Sequence, residues 1–160
     1  MCNLYSIKRG RAAIVGAMRD RGSNLPELPN VFPDYPAPIV RVGADGVREM
    51  VYARWGMPTP PQFLKTATGA PKKTDPGVTN VRNVKSPHWR RWLGPANRCL
   101  MPFTAFSEPP PGAKRPDTWT WFARTGDEPL AFFAGIWTEW TSVRWIKEGP
   151  VSASFSASSR

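Results

Sequence analysis

A cysteine directly follows the initiator methionine in the opening run Met1-Cys2-Asn3-Leu4-Tyr5-Ser6. If Met1 is removed, Cys2 carries a free α-amine and a thiol on adjacent carbons. Such a pair captures an aldehyde, because the amine condenses to an imine and the thiol then closes a five-membered thiazolidine. The amine titrates at about 7.7–8.0 and a free thiol near about 8.5, so both have reactive forms at neutral pH. Taken alone, the dipeptide favours a plainer interpretation, a chance cysteine in a frayed terminus.

The charge and the aromatic content are compatible with a nucleic acid partner. The 160 residues include 22 basic and 12 acidic side chains, for a formal net charge of +10, together with 8 Trp, 8 Phe and 3 Tyr. Arginine outnumbers lysine. Arginine and aromatic rings together suit single-stranded nucleic acid, because phosphates meet charge and unstacked bases meet rings. A basic protein with an aromatic core has the same composition, so both interpretations stay open.

Cysteine and histidine are scarce. Cys2, Cys99 and His88 are too few for a usual four-ligand zinc site, and their spacing matches no redox or metal motif. We therefore expect free thiols in a reducing compartment, no metal and no cofactor. Cys99 lies in an apolar run, where a buried and inert thiol is expected. No run of about 18 apolar residues is present to span a membrane.

Runs typical of β-strands dominate the chain. Asp45-Gly46 separates the runs 39–42 and 47–54 and predicts a hairpin. Further strands are predicted over residues 98–102, 104–107, 119–123 and 130–138. The pattern predicts one compact, β-rich α+β domain with a mixed or antiparallel sheet.

Predicted helices are short and the loops are long. A helix over about residues 8–20 could be capped by Ser6, and a second opens at Ser86-Pro87 and stops at Gly94-Pro95. Residues 58–77 are rich in Pro, Thr, Gly and Lys and predict a long surface loop.

Several short motifs follow one another in a characteristic order. They are Met1-Cys2, Arg54-Trp55-Gly56, Asn80-x-Arg82, Arg98-Cys99-Leu100-Met101-Pro102, Phe106-Ser107-Glu108 and Phe133-Ala134-Gly135-Ile136-Trp137. No single motif is specific. The ordered set, anchored by cysteine at position 2, resembles the SRAP (SOS-response-associated peptidase) family from Met1 to about Trp145. With this resemblance, the reactive interpretation of Cys2 becomes the favoured one.

The resemblance implies a barrel-like fold and a function in the DNA damage response. Family members bind single-stranded DNA that carries an abasic site and trap the ring-opened sugar on Cys2 as a thiazolidine, which shields the lesion. The family name also records a peptidase (hydrolase) activity that exposes Cys2, and the crosslinking chemistry is lyase-like. By this resemblance we expect a monomer with no membrane partner, working in the bacterial cytoplasm near the nucleoid.

The resemblance also assigns roles to individual residues. Cys2 matches the nucleophile, and Glu108 matches a glutamate that moves protons at the carbinolamine. Glu108 precedes three prolines, so it could instead merely pair with an arginine.

Four further residues match positions that hold the DNA. Asn80 matches an asparagine that orients the abasic sugar, and Arg82 matches an arginine that contacts DNA. Arg54 and Trp55 match an Arg-Trp-Gly turn, where positive charge and a flat ring fit a kinked strand. Trp55 could also be a plain core residue, and Asn80 and Arg82 could be ordinary turn and surface residues.

The chain departs from the family pattern at both ends. Asn3 and Leu4 stand where many members have Gly-Arg, and no His-x-Arg-Met-Pro segment is present. We therefore expect crosslinking to be slow, or its reversal to be lost. We expect a partial domain over residues 1–150, incomplete at its C-terminus and with unpaired strand edges. The half-serine segment 151–160 is predicted to be a disordered tail.

Two other functions stay open. The chain could be a non-catalytic, basic module that binds single-stranded nucleic acid. It could also be a cysteine autopeptidase with Cys2 as nucleophile, for which His88 is the only candidate base.

Overall fold

A computed structural model describes residues 4–8, 27–110 and 119–159. Cys2 and nearly all of the predicted helix over residues 8–20 lie outside this part of the chain. Ser6, the expected cap of that helix, lies instead within a strand and is buried.

The described chain consists mainly of strands, which confirms the predicted β-rich fold. The strands are β1 (Leu4–Ile7), β2 (Leu28–Val31), β3 (Pro36–Val42), β4 (Arg48–Trp55), β5 (Asn80–Val81), β6 (Arg98–Phe103), β7 (Ala105–Glu108), β8 (Thr120–Ala123), β9 (Ala131–Val143) and β10 (Pro150–Ser159). Helix α1 (Pro87–Arg90) and two 3-10 turns, Pro61–Phe63 and Pro95–Asn97, are short. Helix α1 starts where Ser86-Pro87 predicted and ends four residues before Gly94.

The predicted hairpin is present as β3 and β4, which pair antiparallel from Val42 opposite Arg48 to Pro36 opposite Arg54. Gly46 has a φ of 75°, a left-handed conformation that suits glycine. The amide of Gly43 donates to the carbonyl of Val47 at 2.8 Å and closes the turn. Local turn chemistry therefore determines this register.

Five strands form a closed barrel in the order β4-β3-β6-β9-β10, because β10 also pairs with β4. The closing pair is parallel, with Phe155 opposite Arg54 and Ser156 opposite Trp55. β5 extends the sheet through a parallel pairing of Asn80 with Ser158. The expected unpaired edges of the barrel are therefore not found, since β4 and β10 satisfy each other.

The prediction of a disordered tail is wrong for residues 151–159, which form most of β10. The strand alternates serine with apolar residues, and Phe155 and Ala157 are buried in a core cluster. On the other face, Ser156 and Ser158 are buried as well. Serine is small enough to fit a strand covered on both sides. The composition predicted disorder, whereas the period-two alternation indicated a strand.

A second sheet has the order β2-β1-β7-β8 and carries the amino-terminal strand at its centre. Its apolar side chains join the first core cluster, in which Tyr5, Ile7, Ile39, Trp55 and Met101 are almost fully buried. A second cluster contains Trp89 and Trp92 of the α1 region together with Phe155 of β10.

Candidate functional site

The amino-terminal strand lies beside the strand that ends in Glu108. β1 pairs antiparallel with β7, so that Leu4 is opposite Ser107 and Tyr5 is opposite Phe106. Glu108 is the last residue of β7, is half-buried and is opposite Thr120 of β8. The first described residue of the chain is therefore paired with the direct neighbour of Glu108.

Trp55 connects this strand to the segment that carries Asn80. Its ring meets that of Tyr5 edge-on, with ring centroids 4.9 Å apart. Its indole N–H donates to the carbonyl of Thr79 at 3.2 Å. One buried side chain thus fixes the distance between β1 and the residue before Asn80.

Asn80 is held by polar contacts at the start of β5. Its side-chain amide donates to the hydroxyl of Thr79 at 3.1 Å, and its carbonyl oxygen accepts from the hydroxyl of Ser158 at 2.8 Å. Arg82 follows two residues later and is exposed. These contacts give the Asn80 amide a defined orientation, and they depend on β10 being in place.

Arg54 and Trp55 are both engaged within the protein. Trp55 is only 1% exposed, so its ring presents no face to a base, and packing is the role that the structure gives it. The Arg54 guanidinium lies 3.1 Å from a carboxylate oxygen of Glu148 and 3.5 Å from one of Asp34. A DNA contact through Arg54 would have to compete with these two acids.

Sequence reasoning missed a buried arginine beneath the Arg-Trp-Gly turn. Arg144 donates to the backbone carbonyls of Gly56 and of Asp75, the latter at 3.1 Å, and its guanidinium carbon lies 4.5 Å from the ring centroid of Phe155. Burial lowers its pKa from the ordinary value, whereas the nearby carboxylates of Asp75 and Asp34 raise it. The sequence gives little indication that Arg144 is buried, because it follows a strand-like run as any surface arginine could.

Asp75 is also satisfied by several donors. Its carboxylate accepts from the amide of Thr59 at 3.2 Å, from the amide of Gly77 at 2.8 Å and from the hydroxyls of Thr59 and Ser142. This carboxylate therefore fixes the long loop 58–77 against the barrel.

His88 does not lie in the same cluster as β1. Its Nε2 is 3.0 Å from the carbonyl oxygen of Pro58, and its ring meets Trp89 and Trp92 edge-on. Tyr5 of β1 belongs to the other core cluster.

Cys99 is buried, as predicted, and burial raises the pKa of its thiol to about 12. At pH 8 only about one such thiol in 10⁴ is ionised, so it should react far more slowly than a free thiol. We expect a disulfide reagent to modify Cys99 only after denaturation. A Cys2→Ala variant provides the assay, since Cys99 is then the only thiol. Rapid modification of that folded variant would contradict the prediction.

The same pKa shift predicts a loss of stability in alkali. A folded-state pKa above the unfolded value means that the thiol's contribution is complete below pH 9 and is lost as the pH rises toward 12. Denaturant titrations of Cys99→Ala should accordingly show a shallower decline in the free energy of unfolding over this range.

In residues 4–8, 27–110 and 119–159, no group of three or more His, Cys, Asp or Glu side chains is arranged to hold a metal ion. Over the same part of the chain, no helix has the length and apolar character needed to cross a membrane.

Comparison with known proteins gives one family and several related folds. The family model described as SOS response associated peptidase (SRAP) matches residues 1–156. The match extends beyond Pro150, where the family pattern was expected to end. No curated protein matches the sequence.

Solved structures of the same fold come from two bacteria. A protein from Bordetella bronchiseptica is 20% identical, with a TM-score of 0.57, covering 99% of this chain and 71% of its own. A phage-related protein from the same organism is 16% identical, with a TM-score of 0.62 and coverages of 99% and 68%. A protein from Bacteroides thetaiotaomicron is 20% identical, with a TM-score of 0.62 and coverages of 99% and 67%.

Proposed function

Because the chain belongs to the SRAP (SOS response associated peptidase) family, we propose that it captures abasic sites in single-stranded DNA as a covalent adduct on Cys2. Family membership supports a role in the SOS response and suggests an interaction with DNA. The finer statement, covalent capture of a damaged sugar, depends on the residues that surround the amino terminus.

The pairing of Leu4 with Ser107 is the observation that carries the proposal. Cα atoms paired across antiparallel strands lie about 4.5–5.5 Å apart. Cys2 is two residues before Leu4, so covalent geometry keeps its Cα within about 7 Å of that of Leu4. Since β1 and β7 are antiparallel, the amino-terminal end of β1, at Leu4, lies beside the carboxyl-terminal end of β7, which carries Glu108. The nucleophile and the acid would therefore meet at one end of this sheet.

The chemistry requires one amine, one thiol and one proton carrier. The α-amine of Cys2 adds to the aldehyde carbon of the ring-opened sugar and forms a carbinolamine. Glu108 as an acid protonates the hydroxyl, which leaves as water, and its carboxylate then accepts the proton from nitrogen, so that an imine remains. Sγ then adds to the imine carbon, and the thiol proton is transferred to nitrogen. The products are a thiazolidine and one water molecule, and no oxidant or reductant is needed.

Asn80 and Arg82 would hold the DNA during these steps. The Asn80 amide is oriented by Ser158 and Thr79, and it can both donate to and accept from a sugar hydroxyl. The exposed Arg82 offers a phosphate contact on the same segment. The net charge of +10 favours association with a polyanion. Arg54 and Trp55 would act by packing and by positioning these neighbours.

The direct test is a crosslinking assay with purified protein whose amino terminus has been verified by intact mass. The protein is incubated with a single-stranded oligonucleotide that contains one abasic site, and the products are separated under denaturing conditions. We expect a slowly migrating covalent band. An oligonucleotide with its abasic aldehyde reduced to the alcohol is the matched control and should give none. Binding without a band would instead support a non-catalytic module, and equal bands with both oligonucleotides would exclude aldehyde capture.

Replacing Glu108 with glutamine should slow crosslinking by about 10²-fold, because the amide cannot transfer protons at the carbinolamine. The measurement is the single-turnover rate of band formation, at saturating protein, as a function of pH. The loss should shrink at acidic pH, where solvent can protonate the carbinolamine. Glu49→Gln is a matched control, since Glu49 pairs with Arg41 near the turn of the β3–β4 hairpin, on a different segment from Glu108. A wild-type rate for Glu108→Gln would remove Glu108 from the mechanism.

The peptidase alternative has less support in the geometry. A cysteine peptidase needs a base beside its thiol, and His88 is the only histidine. Its ring contacts the Pro58 carbonyl and the two tryptophans of the second cluster. Release of Met1 in a purified His88→Ala variant would exclude His88 as the base of an autopeptidase.

A further inference from the structure

An exposed tryptophan on β9 is surrounded by cations on the sheet face that the proposed site does not use. Trp140 is 40% exposed, although it lies in a strand of the closed barrel. Successive side chains of a strand point to opposite faces. Phe133, whose ring meets that of Tyr5, and Trp140 are seven residues apart in one uninterrupted register, so their side chains lie on opposite faces of β9.

The Trp140 ring is held by other side chains. It meets the ring of the buried Trp92 edge-on, with centroids 6.0 Å apart. The guanidinium of Arg91 lies 4.0 Å from the Trp92 ring centroid and 5.5 Å from that of Trp140. The ring is therefore pre-organised, with a positive charge beside it. A base that stacks on such a ring loses little additional side-chain entropy.

Two lysines lie across an open groove from the same ring. The groove, with a volume of about 220 Å³, is lined by Lys72, Lys73, Trp140 and Thr141 among others. The loop with these lysines is fixed, because the amide of Lys72 donates to the carbonyl of Leu64 and the amide of Asp75 donates to that of Val143 in β9. A tryptophan, an arginine and two lysines thus form one surface, which we call the Trp140 patch.

The acidic groups near the patch are already engaged. Glu139 accepts a hydrogen bond from Ser154 and lies 3.6 Å from Arg41. Asp75 is buried and bonded to Thr59, Gly77 and Ser142. The charge that the patch presents is accordingly positive. Positive charge beside an exposed ring is the combination that binds an unpaired strand, with a base on the ring and phosphates on the cations.

We propose that the Trp140 patch is a second contact for single-stranded DNA, on the barrel face opposite the amino-terminal strand. This inference depends on the proposed function in taking DNA as the ligand, but it concerns a different surface. A strand long enough to reach both faces binds the patch and the crosslinking site together. Such a strand gains affinity by effective concentration, whereas a short strand occupies only one of the two.

The test compares wild type with two patch variants on undamaged oligonucleotides. Trp140→Ala should raise the dissociation constant for a ~20-nucleotide strand by about 5- to 150-fold, the range found for removing one stacking platform. Lys72→Gln/Lys73→Gln should lower the salt-dependence slope of log K by about 1.4, at about 0.7 per phosphate contact on a single strand. Both are measured by fluorescence anisotropy. Leu100→Ala is the control, because Leu100 is a part-exposed apolar residue of β6 opposite Ala134, six residues before Trp140 in β9, and it should change neither quantity.

The outcomes separate this inference from the proposed function. Crosslinking of a ~5-nucleotide abasic strand, which is about the site size of one small binding fold, should be unchanged in both variants. If crosslinking fails in wild type but the affinity for long strands still depends on Trp140, the proposed function is refuted and the Trp140 patch is supported as a DNA contact. The changes in the lysine variant are exposed, so the variant should fold normally. If crosslinking succeeds and this variant binds long strands with wild-type affinity and salt slope, the Trp140 patch is not a DNA contact. Tighter binding of RNA than of DNA to the patch would also overturn the proposal.

Discussion

Replacing Cys2 with alanine should abolish the heat-stable crosslink to an abasic oligonucleotide, with a loss of at least about 100-fold in product, since no thiol remains to close the ring. Alanine is as small as cysteine, so removal of Met1 should continue, and intact mass verifies this. The α-amine is retained and can still form an imine. That imine hydrolyses during denaturation, so the gel shows free DNA.

A reductant separates the two functional groups of Cys2. Adding cyanoborohydride to the Cys2→Ala reaction should restore a covalent band, because reduction converts the transient imine to a stable secondary amine. A variant that retains Met1 should give no such band, because its free α-amine is on residue 1, one residue away from the position that the amine of residue 2 occupies. Full crosslinking by Cys2→Ala without reductant would refute thiazolidine formation. Restoration of the band with reductant would show that the amine is placed against the aldehyde independently of the thiol.

Elements determined by local sequence were predicted from the sequence. The β3–β4 hairpin follows from Asp45-Gly46, which supplies the left-handed residue that a tight turn needs. The strands β6 to β9 follow from apolar runs bounded by Gly and Pro. In each case the information lies within about ten residues, the range over which patterns predict structure.

Features that depend on distant pairing were not predicted. β10 was assigned to disorder from its serine content, yet its place between β9 and β4 makes small side chains suitable. The candidate site has the same dependence. Leu4 reaches Ser107 across about a hundred residues, and Asn80 is oriented by Ser158 of the closing strand. A motif list gives the residue types of such a site, whereas only strand order brings them together.

Trp55 illustrates how a correct motif can carry a different physical role. The sequence offered two interpretations of its ring, a DNA-stacking surface and a core residue. In the structure the ring is buried between Tyr5 and the Thr79 carbonyl, so it can affect DNA only through the residues that it positions. The exposed tryptophan Trp140, which no motif singled out, has the accessibility that stacking requires.

Replacing Arg144 with methionine should lower the free energy of unfolding by about 3–5 kcal/mol, because it leaves the buried carboxylate of Asp75 without its cation. Arg144 lies 3.8 Å from Asp75 and 3.6 Å from Asp34, and it donates to the Gly56 carbonyl at the end of β4. Methionine can fill much of the volume but supplies no donor. Denaturant titration followed by circular dichroism measures the loss. Arg98→Met is the matched control, since Arg98 is exposed and should cost less than about 1 kcal/mol.

A double-mutant cycle tests whether the loss comes from the unpaired charge. Adding Asp75→Asn to Arg144→Met should recover part of the stability, because a neutral amide costs less to leave buried than a carboxylate. Gly77→Ala provides an independent probe, since a Cβ there would overlap Nη1 of Arg144 and φ is 75°. Gly77→Ala should lower the stability of the wild-type protein more than it lowers the stability of the Arg144→Met variant, because that variant has no guanidinium in the same space. Strict additivity in both pairs would mean that Arg144 does not act through this network. If the network does act, the parallel closure of β4 on β10, and with it the orientation of Asn80, depends on one buried arginine.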